Sequence, residues 1–394
     1  MKWFAQVAAL IDFNIRSLPG RKGAAIAAMF GIAGVVAVFV GVLSIGQGFR
    51  RAMISTGSPD TALVLRSGAD SEMTSILQRE EARIVADAPA VAKQDGNALV
   101  SPELYVIVNL PKKSTGTDAN VAVRGVEPPA FGVRPDLRII EGRPFEWGRN
   151  ELIVGIGAQT EFRGLDVGTD VTFGSTKWRV VGAFEANGGL NESEIWTDAA
   201  VLAPVYRRGP TYQTLVVKLA SPGSYQQFKD ALTADPRLNV RVVREVDYYA
   251  EQSRAMTLLI TGLGGIITVL MAVGAIFGAL NTMYTAVAAR AREIATLEAL
   301  GFGSSPVVVS VLIESMLLAL AGGLIGALGA WAAFDGYRAA TLNWQTFSQV
   351  TFGFDVNATL LITGIACALV IGFIGGLFPA IRAARLPIAT ALRA

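Results

Sequence analysis

The most constraining feature of this sequence is that charged residues are missing from four long segments. Residues 23–49, 255–289 and 356–381 contain no charge, and residues 306–334 contain a single acid, Glu314. A helix needs about 20 apolar residues to cross the hydrocarbon core of a bilayer. The sequence therefore predicts an α-helical membrane protein with four transmembrane helices, at residues 23–49, 256–289, 306–334 and 356–381.

The composition agrees with a chain that is part membrane and part soluble. Charged residues make up 17% and apolar residues 52% of the 394 positions, against about 25% and 45–50% in a typical soluble domain. The sequence has no histidine and one cysteine, Cys367. This excludes disulfides within the chain and CxxC motifs, and it removes most zinc and triad chemistry. No metal site is expected, and the lack of a basic tract disfavours nucleic-acid binding.

The N-terminal segment, residues 1–22, has apolar residues at helical spacing, which predicts an amphipathic cytoplasmic helix on the membrane surface. A simple extension of the first span is the alternative that the pattern leaves open. A cleaved signal peptide is disfavoured, because the 27 uncharged residues at 23–49 exceed a usual h-region and no small-x-small cleavage site follows them. We therefore expect an uncleaved anchor.

Basic residues flank the spans asymmetrically, and this asymmetry sets the expected orientation. The N-terminal segment carries Lys2, Arg16, Arg21 and Lys22, and the tail at 382–394 carries three arginines and no acid. An even number of spans puts both ends on one side, so both termini are predicted to be cytoplasmic. Residues 290–305 then form a cytoplasmic loop, whereas the large segment 50–255 and a short loop at 335–355 lie outside.

The external segment has the residue patterns of a folded α/β domain. Strand–helix–strand patterns occur at about 58–112 and again at about 210–247, and two such units can pack as one α/β subdomain. Between them, short alternating runs broken by glycine and proline predict a β-rich insert at about 118–205. The predicted fold is thus a 1+3 arrangement of spans, with a large extracytoplasmic α/β plus β-rich domain inserted between the first and second.

An ordered set of motifs occupies the last third of the chain. Residues 281–301 run from N-x-M to R-x-R-E-I-A-x-L-x-A-x-G, Glu314-Ser315 follows, and residues 322–326 read G-G-L-I-G. Residues 379–393 then read P-A-I-R-A-A-R-L-P-I-A-T-A-L-R. In this order the motifs resemble the MacB/FtsX-type permease family of ABC transporters. The external segments 141–145, 150–155 and 180–182 are similar to the external domain of that family.

The resemblance implies a dimeric permease whose cytoplasmic loop, residues 290–305, docks on an ABC ATPase and relays its movements to the external domain, a mode called mechanotransmission. Four charged side chains of the loop are candidates for pairing with the ATPase, and three apolar ones for the buried face of a helix that stops at a glycine. These are, in turn, Arg290, Arg292, Glu293 and Glu298; Ile294, Leu297 and Leu300; and Gly301. The alternative is an ordinary positive-inside loop with solvated charges.

The chain lacks the G-x-x-x-x-G-K-[ST] loop that cradles phosphates, so it is similar to split permeases without a fused ATPase, of the DevC-like or lipoprotein-releasing type. We expect no enzyme activity and no cofactor in this chain, with ATP and magnesium bound by a separate ABC ATPase subunit. The other expected partners are a second permease copy in a homodimer or heterodimer, the bilayer of the bacterial inner membrane, a periplasmic adaptor and an outer-membrane channel.

The function implied by the family is efflux or export from the periplasm. Extraction of lipoproteins or lipids, and FtsX-like control of a cell-wall hydrolase, are alternatives within the same kind of machine. A membrane receptor or scaffold without an ATPase is the alternative from a different class.

Two polar residues within or at the end of the spans, Asn281 and Glu314, need an explanation. A carboxylate in hydrocarbon costs on the order of 2.5–3.5 kcal/mol on insertion scales. A conformational relay with Asn281 is one hypothesis, and an acid that reaches headgroup water is the favoured one. Proton coupling is a third hypothesis, which no other feature of the sequence supports. Three G-x-x-x-G pairs favour close helix packing without identifying a dimer face. They are Gly274 and Gly278, Gly322 and Gly326, and Gly372 and Gly376.

Overall fold

The computed structural model describes residues 2–17, 22–343 and 346–385. The predicted N-terminal segment is described except for residues 1 and 18–21, and most of the predicted tail, residues 386–394, lies outside the described residues together with the end of the C-terminal motif. The chain divides into two compact units. The helical unit comprises Met1–Gln47, Leu258–Tyr337 and Phe354–Ala394, and the sheet unit comprises Gly48–Thr257 and Arg338–Gly353.

Eleven α-helices are formed by the described residues. They are α1 (Lys2–Ser17), α2 (Lys22–Thr56), α3 (Arg79–Ala86), α4 (Ala130–Val133), α5 (Ile156–Glu161), α6 (Ala199–Val205), α7 (Tyr225–Ala234), α8 (Glu245–Ala289), α9 (Ala291–Ala299), α10 (Ser304–Phe334) and α11 (Ala358–Ala383). Helices α2, α8, α10 and α11 are long and apolar enough to cross a membrane. At 1.5 Å per residue, the 45 residues of α8 span about 67 Å, so its polar N-terminal part extends beyond any bilayer of about 30 Å.

Glycines allow the helices of the helical unit to approach one another closely. A Cβ at Gly322 would lie 2.7 Å from the carbonyl oxygen of Met29, so α10 and α2 are in backbone contact there. Between α10 and α11, the hydroxyl of Ser315 donates a 2.7 Å hydrogen bond to the carbonyl of Gly372. Helix backbones can approach this closely only at residues without a large side chain. The small residues of the sequence therefore determine where α10 crosses α2 and α11.

Sixteen strands are formed by the described residues. They are β1 (Thr61–Arg66), β2 (Leu77–Gln78), β3 (Lys93–Gln94), β4 (Asn97–Ala98), β5 (Val100–Pro111), β6 (Asp118–Val126), β7 (Arg138–Gly142), β8 (Glu151–Gly155), β9 (Asp170–Phe173), β10 (Thr176–Glu185), β11 (Glu194–Asp198), β12 (Thr211–Tyr212), β13 (Thr214–Lys218), β14 (Val240–Arg244), β15 (Arg338–Asn343) and β16 (Ser348–Gly353).

One strand joins the two predicted parts of the sheet unit. Strand β5 pairs with β13 through residues 100–103 and with β6 through residues 104–111. At about 3.3 Å per residue, its 12 residues reach about 40 Å, long enough to serve both parts. The continuous order is β14-β1-β13-β5-β6-β11-β8-β10-β7, with β9 beside β10. The α/β part and the β-rich insert therefore share a single ten-stranded sheet.

Residues 335–355, expected as a short loop, instead contain the hairpin β15–β16. The hairpin is part of the sheet unit, where the backbone N–H of Thr351 donates a 2.9 Å hydrogen bond to the hydroxyl of Ser193. The side-chain amide of Asn120, on β6, donates to the carbonyl of Phe347 at 2.7 Å. Val350 and Phe352 point inward and are buried, and this alternation of apolar residues is what makes the segment a strand pair.

Candidate functional site

The motif segment of the sequence forms a short helix, α9, between α8 and α10. Helix α8 ends at Ala289 and α9 at Ala299, and the turn after α9 contains Gly301, whose φ of 95° only glycine adopts readily. The N–H groups of Gly301 and Phe302 donate to the carbonyls of Glu298 and Leu297, at 3.0 and 3.1 Å. This is the Schellman arrangement that satisfies the last carbonyls of a helix. The glycine therefore ends the helix as the sequence predicted.

A buried ion pair fixes the start of α9 to α10. The guanidinium of Arg290 donates to the carboxylate of Glu314 at 3.2 Å, and their side chains are 9% and 6% exposed. A small cavity of about 20 Å³ beside the pair is lined by apolar side chains, which include Leu10, Val287 and Ile294. Removing one partner of such a pair costs about 3–5 kcal/mol, because the other charge stays buried. The pair therefore holds two elements of the site together.

Helix α1 packs on the same region, which the sequence did not predict. The indole N–H of Trp3 donates to the hydroxyl of Ser305 at 3.1 Å, and the amide of Gln6 donates to the carbonyl of Gly301 at 3.4 Å. Leu10, one turn further, is 4% exposed. Phe4 remains 75% exposed, on an apolar surface suited to lipid or to a partner. The first helix thus braces the end of α9 and the start of α10.

The charged residues of the α9 segment divide into two groups. Arg292 and Glu293 are exposed, and Glu298 is half-buried. Arg290 was expected to pair with an ATPase, but its side chain is buried against Glu314 and does not face solvent. Its guanidinium donates to a carboxylate that lies 24 positions along the chain. Arg292 and Glu293 are the charges that α9 presents.

The apolar face of α9 also differs from the expectation at one position. Ile294 is 8% exposed, Leu297 is half-buried, and both pack in one cluster with Val307 and Val311. Leu300, expected on the buried face, is 74% exposed. The helix ends at Ala299, so Leu300 leaves the helical periodicity and points outward. It forms an exposed apolar projection directly after the end of α9.

The two intramembrane polar candidates are not brought together. Glu314 was favoured as an acid reaching headgroup water, but it is buried inside the protein and paired with Arg290. Asn281 is exposed on α8. The relay between Glu314 and Asn281 is therefore not supported by the geometry, and the partner of Glu314 comes from the motif itself.

The glycine pairs fall into two classes. Gly322, Gly326, Gly372 and Gly376 each lie where an added Cβ would collide, for example 2.6 Å from the Cβ of Ser315 at Gly376. Apart from the adjoining backbone of α8, no heavy atom of the described residues lies within 4 Å of a Cβ placed at Gly274 or at Gly278. The first four glycines pack helices within this chain, and the pair on α8 lies on an open surface.

A second group of buried charges, in the sheet unit, was missed by the sequence analysis. The guanidinium of Arg124 on β6 binds Glu72, Glu103 and Glu194 at 2.7–2.8 Å, and all four side chains are at most 2% exposed. Arg134, which follows α4, also binds Glu103 and stacks on Trp196 with its carbon at 5.2 Å. Burial alone would raise the pKa of Glu103, but Arg134 and Arg124 hold it below its usual value. The sequence feature that could have indicated this cluster is Arg124, a charged residue within the apolar residues 121–126 of β6.

The cluster connects the two parts of the sheet unit. Glu103 lies on β5 and Glu72 in a 3-10 turn of the α/β part, whereas Arg124 and Glu194 lie on β6 and β11 of the insert. A movement that separated the two parts would leave a buried charge without its partner, which is costly in free energy. The cluster therefore makes the junction between the two parts rigid. Among the described residues, no group of three His, Cys, Asp or Glu side chains is placed to hold a metal ion.

Comparisons with known proteins agree with this architecture. The family model of the MacB-like periplasmic core domain matches residues 25–235, more than half of the chain, and that of the FtsX-like permease C-terminal region matches residues 265–388. The macrolide export ATP-binding/permease protein MacB of Escherichia coli is 26% identical over 390 residues, covering 91% of this chain and 56% of that protein. MacB 1/2 of Paracoccus denitrificans is 25% identical, covering 98% of this chain and 59% of that protein.

The chain thus spans a little over half the length of the curated relatives it matches. The crystal structure of the periplasmic region of MacB from Actinobacillus actinomycetemcomitans superposes with a TM-score of 0.37 and 13% identity, over 48% of this chain and 91% of that one. The family models cover both the domain between the first two spans and the three spans that follow. With its four apolar helices and its α/β domain of periplasmic type, the chain belongs to the MacB/FtsX-type family of ABC transporter permeases.

Proposed function

We propose that this chain is the membrane subunit that couples ATP hydrolysis by a separate ABC ATPase to movements of its periplasmic domain. The observation that carries the proposal is the construction of α9. Its apolar face is buried, its start is fixed to α10 by the Arg290–Glu314 pair, and its free surface presents Arg292, Glu293 and Leu300. A helix that is attached to its neighbour in this way transmits a displacement to α10 without tilting.

The residues of the chain suit transmission rather than catalysis. A displacement of α9 would act on α10 through the ion pair and on α1 through the hydrogen bonds of Trp3 and Gln6. Because α10 and α11 are in glycine-mediated contact, with Ser315 bonded to Gly372, they would move together. ATP and magnesium would be bound by the ATPase, which supplies the free energy.

The direction of transport follows from the expected orientation. With α9 and both termini on the cytoplasmic side of the inner membrane, the sheet unit lies in the periplasm. We propose that it works there as part of a dimer, with an adaptor and an outer-membrane channel, to export a substrate from the periplasm. The curated relatives are named as macrolide exporters, which favours efflux over lipoprotein release or hydrolase control.

Co-purification from native cells in mild detergent tests the ATPase interface. We expect an ABC ATPase to copurify near stoichiometrically with the wild-type chain and to be lost from Arg292→Glu/Leu300→Asp, because both side chains are exposed on or next to α9. Arg338→Glu, a charge reversal at an exposed position of β15, is the matched control and should retain the ATPase. An ATPase retained by the α9 variant, or absent from all three samples, would contradict the proposal.

A further inference from the structure

A polar cavity lies in the sheet unit where the end of α2 meets the start of α8. Its volume is about 50 Å³, and its wall includes Ser58, Thr61, Arg134, Asn191 and Glu245. A Cβ at Gly57 would lie 2.7 Å from the backbone nitrogen of Val246, so the two chain segments are in direct backbone contact beside the cavity. Asp136 and Asn187 on the rim are exposed, which opens the cavity to solvent.

Four side chains place an unsatisfied buried atom on this cavity. Among the residues that the structure describes, no hydrogen-bond partner is present for Oε1 of Glu245, Nε of Arg134, Oδ1 of Asn191 or Oγ1 of Thr61, and each of these residues is at most 8% exposed. Unpaired buried polar atoms are costly, so a cavity that collects four of them is built to hold something polar. Its volume has room for a few water molecules.

The chemistry of the wall favours water and a proton over a metal cation. The cavity offers acceptors on Glu245 and Asn191 and a donor on Arg134. Water satisfies both kinds of group. A metal cation would be repelled by the guanidinium of Arg134, which lies 4.0 Å from the carboxylate of Glu245, and by Lys218 in the same wall. The carboxyl of Glu245 is the group that can take up a proton.

Charge balance points to the same carboxyl. With Glu245 added to Glu72, Glu103 and Glu194, the buried cluster has four glutamates against its two arginines, Arg124 and Arg134, so the glutamates exceed the arginines by two. Arg124 and Arg134 are already bound to Glu72, Glu103 and Glu194 at 2.5–2.8 Å. Within the described part of the chain, Glu245 accepts a hydrogen bond only from the N–H of Ser58, at 3.2 Å, and Arg134 stays beyond hydrogen-bond distance.

The charged and titratable groups around Glu245 come from each element packed against it. They are Asp60, which precedes β1 and is bonded to Ser58 and Lys218 of the wall; Glu72 of the 3-10 turn; Glu103 and Tyr105 of β5; Arg124 of β6; Arg134 and Asp136 after α4; Glu194 of β11; Lys218 of β13; and Tyr248 and Tyr249 of α8. Burial raises the pKa of Glu245 to about 7, and Arg134 offsets only part of the rise.

We propose that this cavity is a hydrated proton-binding site, in which Glu245 takes up one proton from the surrounding solvent and releases it as the solvent becomes alkaline. In the protonated form, a neutral carboxyl donates to water in the cavity. In the ionised form, the carboxylate attracts Arg134, which is shared with Glu103 at 2.5 Å. The proton therefore sets how tightly the first residue of α8 is bound to the insert, and this inference does not depend on the ATPase.

The composition of the chain simplifies the assignment of a titration near neutral pH. Because the chain has no histidine, no side chain with an ordinary pKa near neutrality competes with Glu245. We would record infrared difference spectra of the full chain in lipid nanodiscs between pH 5.5 and 8.5, purified without a polyhistidine tag. We expect the C=O band of one protonated carboxyl to disappear with a midpoint near 7. The band should be absent from Glu245→Gln and unchanged in Glu251→Gln, an exposed glutamate on the same helix.

A second variant keeps the proposal testable if Glu245→Gln does not fold. Asn191→Asp places another carboxylate on the cavity with almost the same shape, and repulsion should move the titration upward. No carboxyl titrating between pH 6 and 8, a band that persists in Glu245→Gln, or no shift in Asn191→Asp would overturn the proposal. A midpoint that falls as calcium chloride replaces sodium chloride at constant ionic strength would also overturn it, because a cation would then neutralise the cavity.

Discussion

At the scale of single residues, the Arg290–Glu314 pair is a stability determinant as well as a link in the site. Both side chains are buried, so neither charge can be hydrated when the other is removed. We expect Glu314→Ala to destabilise the purified chain by about 3–5 kcal/mol, seen as a lower thermal midpoint in detergent. Replacing both partners, as Arg290→Met/Glu314→Met, should recover most of the loss, because both buried charges of the pair are then removed.

The double variant separates stability from coupling. It should unfold near the wild-type temperature yet fail to transmit the ATPase cycle, because the polar link between α9 and α10 is gone. A single Glu314→Ala variant as stable as wild type would show that the two charges are hydrated and that the pair does not hold α9.

At the scale of elements, the hairpin β15–β16 is attached to the insert through hydrogen bonds, which include those of Thr351 with Ser193 and of Phe347 with Asn120. Ser193 accepts from the N–H of Thr351 at 2.9 Å, and a typical hydrogen bond contributes about 1 kcal/mol. We therefore expect Ser193→Ala to increase hydrogen–deuterium exchange in residues 348–353, measured on the full chain by mass spectrometry. Ser221→Ala, at an exposed serine of the same unit, should leave exchange in the hairpin unchanged. Unaltered exchange in Ser193→Ala would mean that the other contacts of the hairpin, among them the Asn120–Phe347 hydrogen bond and the apolar contacts of Val350 and Phe352, suffice.

The sequence predicted those elements that follow from local patterns. Hydropathy located the four long helices, and the positions of Gly301 and Ile294 predicted where α9 ends and which face it buries. Partners distant in the chain were not predictable from one sequence. Glu314 lies 24 positions from Arg290, and Arg124 lies 70 positions from Glu194. Periodicity tells which residues share a face, but it does not tell what that face meets.

At the scale of the whole molecule, the carboxylates of the sheet unit give stability two opposite dependences on pH. Glu103 and Asp60 have lowered pKa values in the fold, so the stability they contribute is lost as the pH falls below their usual range. Glu245 has a raised pKa of about 7 against an ordinary value of 4.5. Its contribution is complete below pH 4.5, and it is lost as the pH rises from there through 7, because only the unfolded chain ionises freely.

The two dependences together predict a chain that is more stable in mild acid than at alkaline pH. We expect the thermal midpoint of the wild-type chain in nanodiscs to fall between pH 5 and pH 8 and to level off above. Glu245→Gln should flatten this slope, because its amide cannot ionise, and the largest gain over wild type should occur at pH 8. A wild-type midpoint that rises with pH, or a slope that Glu245→Gln leaves unchanged, would show that the buried cluster is ionised throughout and that its net charge is neutralised elsewhere.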